Sequence, residues 1–317
     1  MPTSTEPGRK TNPTIVVLGG TGMLGHKVFQ KFATASPDTF CTIRQSTADE
    51  SIARIPLFQS DRTIGGIDAI HFEQLSSLLR SIQPDFIINC IGVIKQRPEA
   101  SSCARVIALN SLLPHQLAAL CSEWNGRLIH FSTDCVFSGR HGMYRENDSS
   151  DAQDLYGRSK FLGETVADNA LTLRTSIIGR ELATHRSLLD WFLWNNGGEV
   201  QGYRKSIYSG VTTNHLAEIV LDIVLHHPHL SGLYQIAAHP ISKCDLLLLL
   251  KEAYALDVAI CPVDGEESDR SMDGSKLSAA IGYDCPAWKT LVEQLAHDPT
   301  PYDEWLGVAQ GAVRSRQ

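Results

Sequence analysis

The chain has 317 residues, a net charge of −7 and 20% charged residues. That length suits one large domain or a domain with a smaller lobe, and the acidic balance argues against a general binder of nucleic acid or anionic membranes. The longest aliphatic run, Leu246 to Leu250, is far too short to span a bilayer, and the eight cysteines contain no C-x-x-C pair, so they read as buried reduced thiols and not as a disulfide framework or a zinc site.

Residues 1–12 (MPTSTEPGRKTN) are polar without an apolar core, so they read as a flexible tail with no targeting signal, and a cytoplasmic protein is expected. Thr14 to Leu18 is a β-branched run without alternation, the pattern of a buried parallel strand. It runs into Gly19-Gly20-Thr21-Gly22-Met23-Leu24-Gly25 and then an amphipathic helix. The glycines at 19, 22 and 25 permit a tight turn, close approach of backbone to a pyrophosphate, and close helix–strand packing, with the helix N-terminus facing the anion. Strand, glycine turn and helix in that order predict a dinucleotide site.

The second strand, Phe40 to Ile43, ends in Arg44-Gln45-Ser46, where a reader of the ribose 2′-hydroxyl would carry an acid. Arg44, with Ser46 nearby, suits a 2′-phosphate instead. Residues 47–66 look irregular, and Gly66-Ile67-Asp68 resembles a short third strand end that brings Asp68 to adenine. His71 to Ile82 has helical period, and Phe86 to Cys90 is a further buried strand, whose Ile91-Gly92 turn lines the nicotinamide side. Lys95 follows in the next loop, within reach of a phosphate or simply exposed. Val106 to Trp124 reads as a long helix kinked at Pro114, with Asn110 at a buried position.

Ile129 to Glu164 carries the chemistry. An apolar strand, Leu128 to Phe131, delivers Ser132-Thr133-Asp134, a Gly-, Ser- and Asp-rich loop follows, and the chain restarts as a helix with Tyr156 and Lys160. Their spacing places phenol and ammonium on one helical face, one turn apart. A nearby ammonium favours the phenolate, so Tyr156 is a candidate proton donor and acceptor. Bringing a phenol from about 10 to about 7 takes roughly 4 kcal/mol, more than one lysine supplies, so a second cation such as an oxidised nicotinamide is implied. Thr133 offers a hydroxyl to the same reacting oxygen.

Leu171 to Thr175 is a sixth strand, and strand–helix alternation to about residue 175 predicts an α/β doubly wound parallel sheet. Beyond residue 176 the elements are shorter. A helix at Leu188 to Asn195 holds two tryptophans that read as core or interface, Val211 to His226 is a helix, Gly232 to Ile236 a strand, Cys244 to Tyr254 a helix, and Asp269 to Lys276 a polar segment. The expected division is 13–180 for cofactor and 181–317 for a smaller substrate lobe, some of whose segments return to the first domain.

The motifs GGTGMLG (19–25), INCIG (88–92), STDCVFSG (132–139), YRENDSSDAQDLYGRSKFLGE (144–164) and LRTSIIG (173–179) resemble the extended short-chain dehydrogenase/reductase superfamily, and within it the dTDP-4-dehydrorhamnose reductase family. That resemblance implies a Rossmann sheet and an NADPH-dependent reductase of a nucleotide-linked 4-keto-6-deoxy sugar, with NADH as an alternative cofactor and a homodimer as a possible state. It implies Thr133, Tyr156 and Lys160 as the catalytic trio, with Tyr156 protonating the sugar carbonyl oxygen. Cofactor contacts implied are Gly19, Thr21, Gly22, Met23, Leu24 and Gly25 at the turn, Arg44, Ser46, Asp68 and Ala69 at the adenosine end, and Cys90, Ile91, Gly92 and Lys95 beyond. The sugar side comprises Asp134, Cys135, Val136 and Phe137, then Arg174, Ser176, Ile177, Trp191 and Arg270. No metal ligands are assigned.

The family usually has Tyr where Cys135 stands and Trp-Val where Ile177-Ile178 stand, so a dTDP-linked sugar and a UDP-linked 2-acetamido sugar both stay open. A dehydratase would place Glu after the Thr-Asp pair, where Cys135 stands. An epimerase, and a non-catalytic regulatory subunit resembling that of methionine adenosyltransferase, are the remaining alternatives.

Overall fold

Ile15–Leu18 (β1) is buried along its whole length, as a strand covered on both faces requires. In the computed structural model, which describes residues 12–95, 100, 102–182, 187–265 and 267–307, β1 lies inside a seven-stranded sheet. The other strands of that sheet, in chain order, are β2 (Thr39–Thr42), β3 (Thr63–Ile64), β4 (Phe86–Asn89), β5 (Arg127–Thr133), β6 (Ala170–Thr175) and β7 (Gly232–Gln235). All pairs are parallel and the spatial order is β7-β6-β5-β4-β1-β2-β3. This is the doubly wound fold. The chain leaves β1 toward β2 and later returns to β4 on its other side, which opens a crevice at the carboxyl ends of β1 and β4.

Alternate residues of β1 feed two separate cores. Ile15 and Val17 pack with Val28, Phe29 and Phe32 of α1 (Gly25–Ala35), and the same core includes Leu216 and Val220. Val16 and Leu18 pack with Leu75 and Leu79 of α2 (Phe72–Ile82) and with Leu113 and Leu117 of α3, which runs over 103–121. The remaining helices used below are α4 (Leu155–Leu162), α5 (Leu188–Trp194) and α6 (Thr213–His226).

Three boundaries differ from the sequence expectation. The third strand is Thr63–Ile64, not the Gly66–Asp68 stretch, because after Gly65 the chain turns and the Gly66 amide bonds the Gln45 carbonyl at 2.9 Å. α3 starts earlier, at Cys103, and contains a π-helical turn over Ala108–Leu112 just before Pro114. Pro114 has no N–H for the Asn110 carbonyl, so the helix widens there. Val211–Thr212 is a short strand paired with Ile177–Ile178, and Thr212 caps α6 by accepting from the His215 amide at 3.3 Å. Short strands at 199–203, 206–208, 241–242, 259–263 and 268–269 build small sheets beside the main one. No described helix is long and apolar enough to cross a membrane. Residues 1–11 of the expected tail lie outside the described residues.

Candidate active site

The glycine turn after β1 is fixed by contact. A Cβ on Gly25 would sit 2.1 Å from the Gly19 carbonyl oxygen, so only glycine lets α1 start against the end of β1. Gly19 itself has φ +79°, and a Cβ there would meet Ile91 at 2.9 Å. α1 has no side-chain cap, whereas α4 is capped by Asp154 and α6 by Thr212. The His26 amide already donates to the Gly22 carbonyl at 3.1 Å, and the positive end of the helix dipole at this uncapped N-terminus attracts an anion.

A cavity runs from this turn to the ends of β2 and β3. Gly19, Thr21 and Gly22 line it beside Cys90, Ile91 and Gly92, and its far end is lined by Arg44, Gln45, Asp68, Ala69 and Arg105. The cradle, the uncapped helix and the cationic far end fit a dinucleotide. Several expected contacts fall elsewhere. Leu24 is buried in the core of α1. Ser46 is turned into its own loop, its amide donating to Asp49 Oδ2 at 3.1 Å and its hydroxyl accepting from the Ala48 amide at 3.2 Å, while Ser51 lines the cavity instead. Met23 is half-buried at the turn. Lys95 is held at Asp154, Nζ to Oδ2 3.0 Å, with Nζ 5.8 Å from the centroid of the Tyr156 ring, so it belongs to the β5–α4 side and not to a phosphate.

At the end of β5 the chain enters a 3₁₀ turn, Asp134–Val136. Thr133 Oγ1 accepts from the Cys135 amide at 3.2 Å and donates to Asp134 Oδ1 at 3.0 Å. α4 lies directly against this turn, since a Cβ on Gly157 would be 2.2 Å from the Cys135 carbonyl oxygen. That contact brings Tyr156 to Thr133. Burial raises the Tyr156 phenol above its ordinary range, Cys135 adds to the rise, and a hydrogen bond from Thr133 pulls the other way. From the sequence, Lys160 is expected to lower the phenol. In the protein alone desolvation is the largest influence on the phenol, which stays protonated.

Lys160 reaches back to β5. Its Nζ donates to the Phe131 carbonyl and lies 3.5 Å from His130 Nε2, and His130 Nδ1 is 3.1 Å from the Asn89 amide. Burial lowers the Lys160 ammonium to about 8, against the opposing pull of Glu164 and Cys90. His130 is held neutral, well below its usual range, by its own burial and by Lys160.

Asn110, completely buried in the π turn, joins the two halves of the site. Its Oδ1 accepts from the Val93 amide at 2.8 Å, and its Nδ2 donates to the Val93 carbonyl at 2.9 Å and to Ser159 Oγ at 3.1 Å. One side chain thus fixes the Ile91–Val93 wall relative to the helix that carries Tyr156 and Lys160.

On the other side of Thr133, burial raises the Asp134 carboxyl, opposed by Thr133, Arg270, Cys135 and Ser176. Tyr208, not foreseen from the sequence, has its hydroxyl buried beside Ser176 and Asp134. Arg270 Nε donates to the Phe137 carbonyl at 3.0 Å. Asp134, Cys135, Ser176 and Arg270 therefore gather beside the phenol, with Ile177 half-buried next to Ser176.

Two sugar-side expectations change. Val136 and Phe137 are buried in a cluster with Tyr144 and Met272, Phe137 stacked on Tyr144 at 4.1 Å, so they are packing residues. Arg174 is 2% exposed and ion-paired with Glu164 through Nε and Nη2, both at 2.7 Å, which leaves it a structural role. Trp191 is partly exposed on α5. Arg105, Asn110, Tyr208 and Glu164 were not read as site residues, although Glu164 stands four residues after Lys160 on the chain.

A family model described as the RmlD substrate binding domain matches residues 13–299. A probable low-salt glycan biosynthesis reductase, Agl14 of Haloferax volcanii, is 31% identical over 51% of this chain and 52% of its own. Methionine adenosyltransferase 2 subunit beta of Danio rerio is 32% identical over 47% of this chain and 42% of its own. The match spans about half the length of these curated relatives. Among solved structures, dTDP-4-dehydrorhamnose reductase of Bacillus anthracis in complex with NADP superposes with a TM-score of 0.74 at 17% identity, over 90% of this chain and 99% of that one. That likeness is one of fold.

Proposed function

Because this chain belongs to the RmlD substrate binding domain family, we propose that it is an NADPH-dependent oxidoreductase that reduces the 4-keto group of a nucleotide-linked 6-deoxy sugar. The observation that carries the reading is the meeting of Thr133 and Tyr156 beside the carboxyl ends of β4 and β5, with Lys160 anchored on Phe131 behind them.

The glycine turn and the α1 amides would hold the pyrophosphate, and Cys90 to Gly92 the nicotinamide side. When bound, the nicotinamide supplies a hydride to the carbonyl carbon. Tyr156, kept protonated by burial, gives its proton to the carbonyl oxygen. Thr133 Oγ1 holds the same oxygen in line with the phenol. The Lys160 charge, fixed by the Phe131 carbonyl, stabilises the phenolate left after the transfer. Asp134, Ser176, Tyr208 and Arg270 offer polar groups to the sugar.

The decisive assay follows NADPH consumption with a panel of dTDP- and UDP-linked 4-keto sugars, and oxidation with at least one is expected. Binding of NADPH without turnover of any would overturn the reductase reading and favour a role like that of the adenosyltransferase subunit, to which this chain is also similar.

Two further outcomes follow from the same site. Lys160 loses its proton near pH 8, so kcat/KM should fall as pH rises through about 8, and Lys160→Arg should move that limb upward. A pH profile that is flat from 7 to about 9.5 would remove Lys160 from the mechanism.

Arg44 lines the adenosine end just beyond β2, near enough to Asp68 for its charge to be felt there, and a guanidinium grips a 2′-phosphate by charge-assisted bonds. NADPH should bind about ten- to a hundred-fold tighter than NADH, and Arg44→Ala should remove most of the difference. Equal wild-type affinities in parallel titrations would rule this out.

A further inference from the structure

A buried chain of polar groups runs from the turn after β4 to the lysine of α4, and its hydrogen bonds have a fixed direction. The Ile91 amide donates to Asn89 Oδ1 at 3.1 Å, which settles how the Asn89 side-chain amide is turned. Asn89 Nδ2 then faces His130 Nδ1 at 3.1 Å and can only donate to it. Asn89 and His130 are register partners on β4 and β5, and both are buried, so water offers the ring no other partner.

With Nδ1 as an acceptor, the proton of the neutral imidazole sits on Nε2, and Nε2 is the nitrogen beside Lys160 Nζ. An ammonium has three donors and no acceptor, so a charged Lys160 meets this N–H as donor against donor. The distances carry that signature. Nζ stands 3.5 Å from Nε2, at the limit of a hydrogen bond, while it is drawn closely onto the Phe131 carbonyl. A neutral amine in the same place would accept from Nε2–H and still donate to Phe131, leaving every group paired.

Glu164, just beyond α4, and Cys90, just after β4, favour the ammonium, and burial opposes it. His115 of α3 adds to Lys160 in keeping His130 uncharged. An imidazolium would also set Nδ1–H against the Asn89 Nδ2 hydrogens, so the chain that fixes the tautomer excludes the second proton.

We propose that His130, oriented by Asn89, is a positioning residue that turns an N–H toward Lys160 and so lowers the pH at which the Lys160 ammonium is lost. It acts through the lysine and not on the reacting atoms. Its bearing on turnover rests on the reading of Lys160 as the group that stabilises the Tyr156 phenolate.

Two measurements on the whole protein test this. Long-range ¹H–¹⁵N spectra of the histidine rings should show His130 neutral near pH 7, with its proton on Nε2. A proton on Nδ1, or an imidazolium, would overturn the inference. That spectrum needs no variant, so it decides even if a substituted chain does not fold. The second measurement follows the ¹³Cε signal of Lys160 and kcat/KM with pH. His130→Gln, whose amide can turn its oxygen to the ammonium without adding charge, should raise both midpoints by about one pH unit. Asn89→Asp still accepts from the Ile91 amide but takes its second bond from Nδ1–H, which makes Nε2 an acceptor. Its own charge pushes the same way, so it should raise the midpoints at least as far as His130→Gln does. Midpoints unmoved in both variants would overturn the inference. A ¹³Cε midpoint that rises in both over a flat kcat/KM profile would sustain it and bring down the catalytic reading of Lys160 instead.

Discussion

Tyr156→Phe is expected to lower kcat by at least about 10²-fold while leaving the affinity for NADPH nearly intact. The ring stays, so the packing of α4 on the Asp134–Val136 turn stays with it, and only the proton is lost. No described neighbour replaces it easily. Thr133 is a far weaker acid whose hydroxyl already donates to Asp134 Oδ1 at 3.0 Å, and the Lys160 ammonium is held on the Phe131 carbonyl. Steady-state kinetics with the best sugar of the panel, together with NADPH titration of the variant, separates the two quantities. A variant with near-normal turnover would remove Tyr156 as the proton donor. A variant with weakened NADPH binding and unchanged kcat would make it a cofactor contact instead.

The sheet was legible because its strands are short apolar runs set between helical periods and punctuated by glycine, a purely local pattern. The GGTGMLG turn was legible for the same reason, since the steric demand at Gly25 is met by the residue that the pattern shows. Long-range pairing was harder to see. Arg105 becomes a site residue only because α3 crosses the end of β3 and meets Asp68, thirty-seven positions earlier in the chain. Arg174 misled for the complementary reason. The resemblance puts it on the sugar side, and it stands near the end of β6 opposite Ser132, but the neighbouring helix supplies Glu164, and the partner decides the role. Lys160 shows the limit of helical spacing as an argument. The i to i+4 rule places it on the face of Tyr156, yet a long flexible stem lets it bond the β5 backbone, and burial then sets its proton affinity. The π turn in α3 lies between these cases. Pro114 announces a disturbance, while the use made of it, turning Asn110 toward Val93 and Ser159, depends on the packing of α4.

Arg174→Met should destabilise the fold by about 3–5 kcal/mol, the cost of leaving a buried carboxylate uncompensated. Glu164 is almost completely enclosed, its side chain 6% exposed, and it accepts from Arg174 at both oxygens and from Ser132 Oγ at 2.6 Å. Without Arg174 the carboxylate keeps only the serine hydroxyl and the more distant charge of Lys160, so its burial is no longer compensated. Methionine matches the length of the lost stem and can lie on Phe137, whose ring stands 5.1 Å from the guanidinium carbon, so cavity formation contributes little. Pairing it with Glu164→Met removes the stranded charge as well, and the double variant should recover most of the loss, as buried ion pairs replaced by apolar groups usually do. Urea unfolding of the two single variants and the double one measures the cycle. The same series reads out at the catalytic lysine, because Glu164 favours the Lys160 ammonium. An unpaired Glu164 should carry the alkaline limb of the pH profile above its wild-type position, and Glu164→Met should carry it below. Single and double variants that all unfold within about 1 kcal/mol of wild type would mean that the pair is screened by solvent, and the placement of Arg174 as a buried structural residue would fall with it.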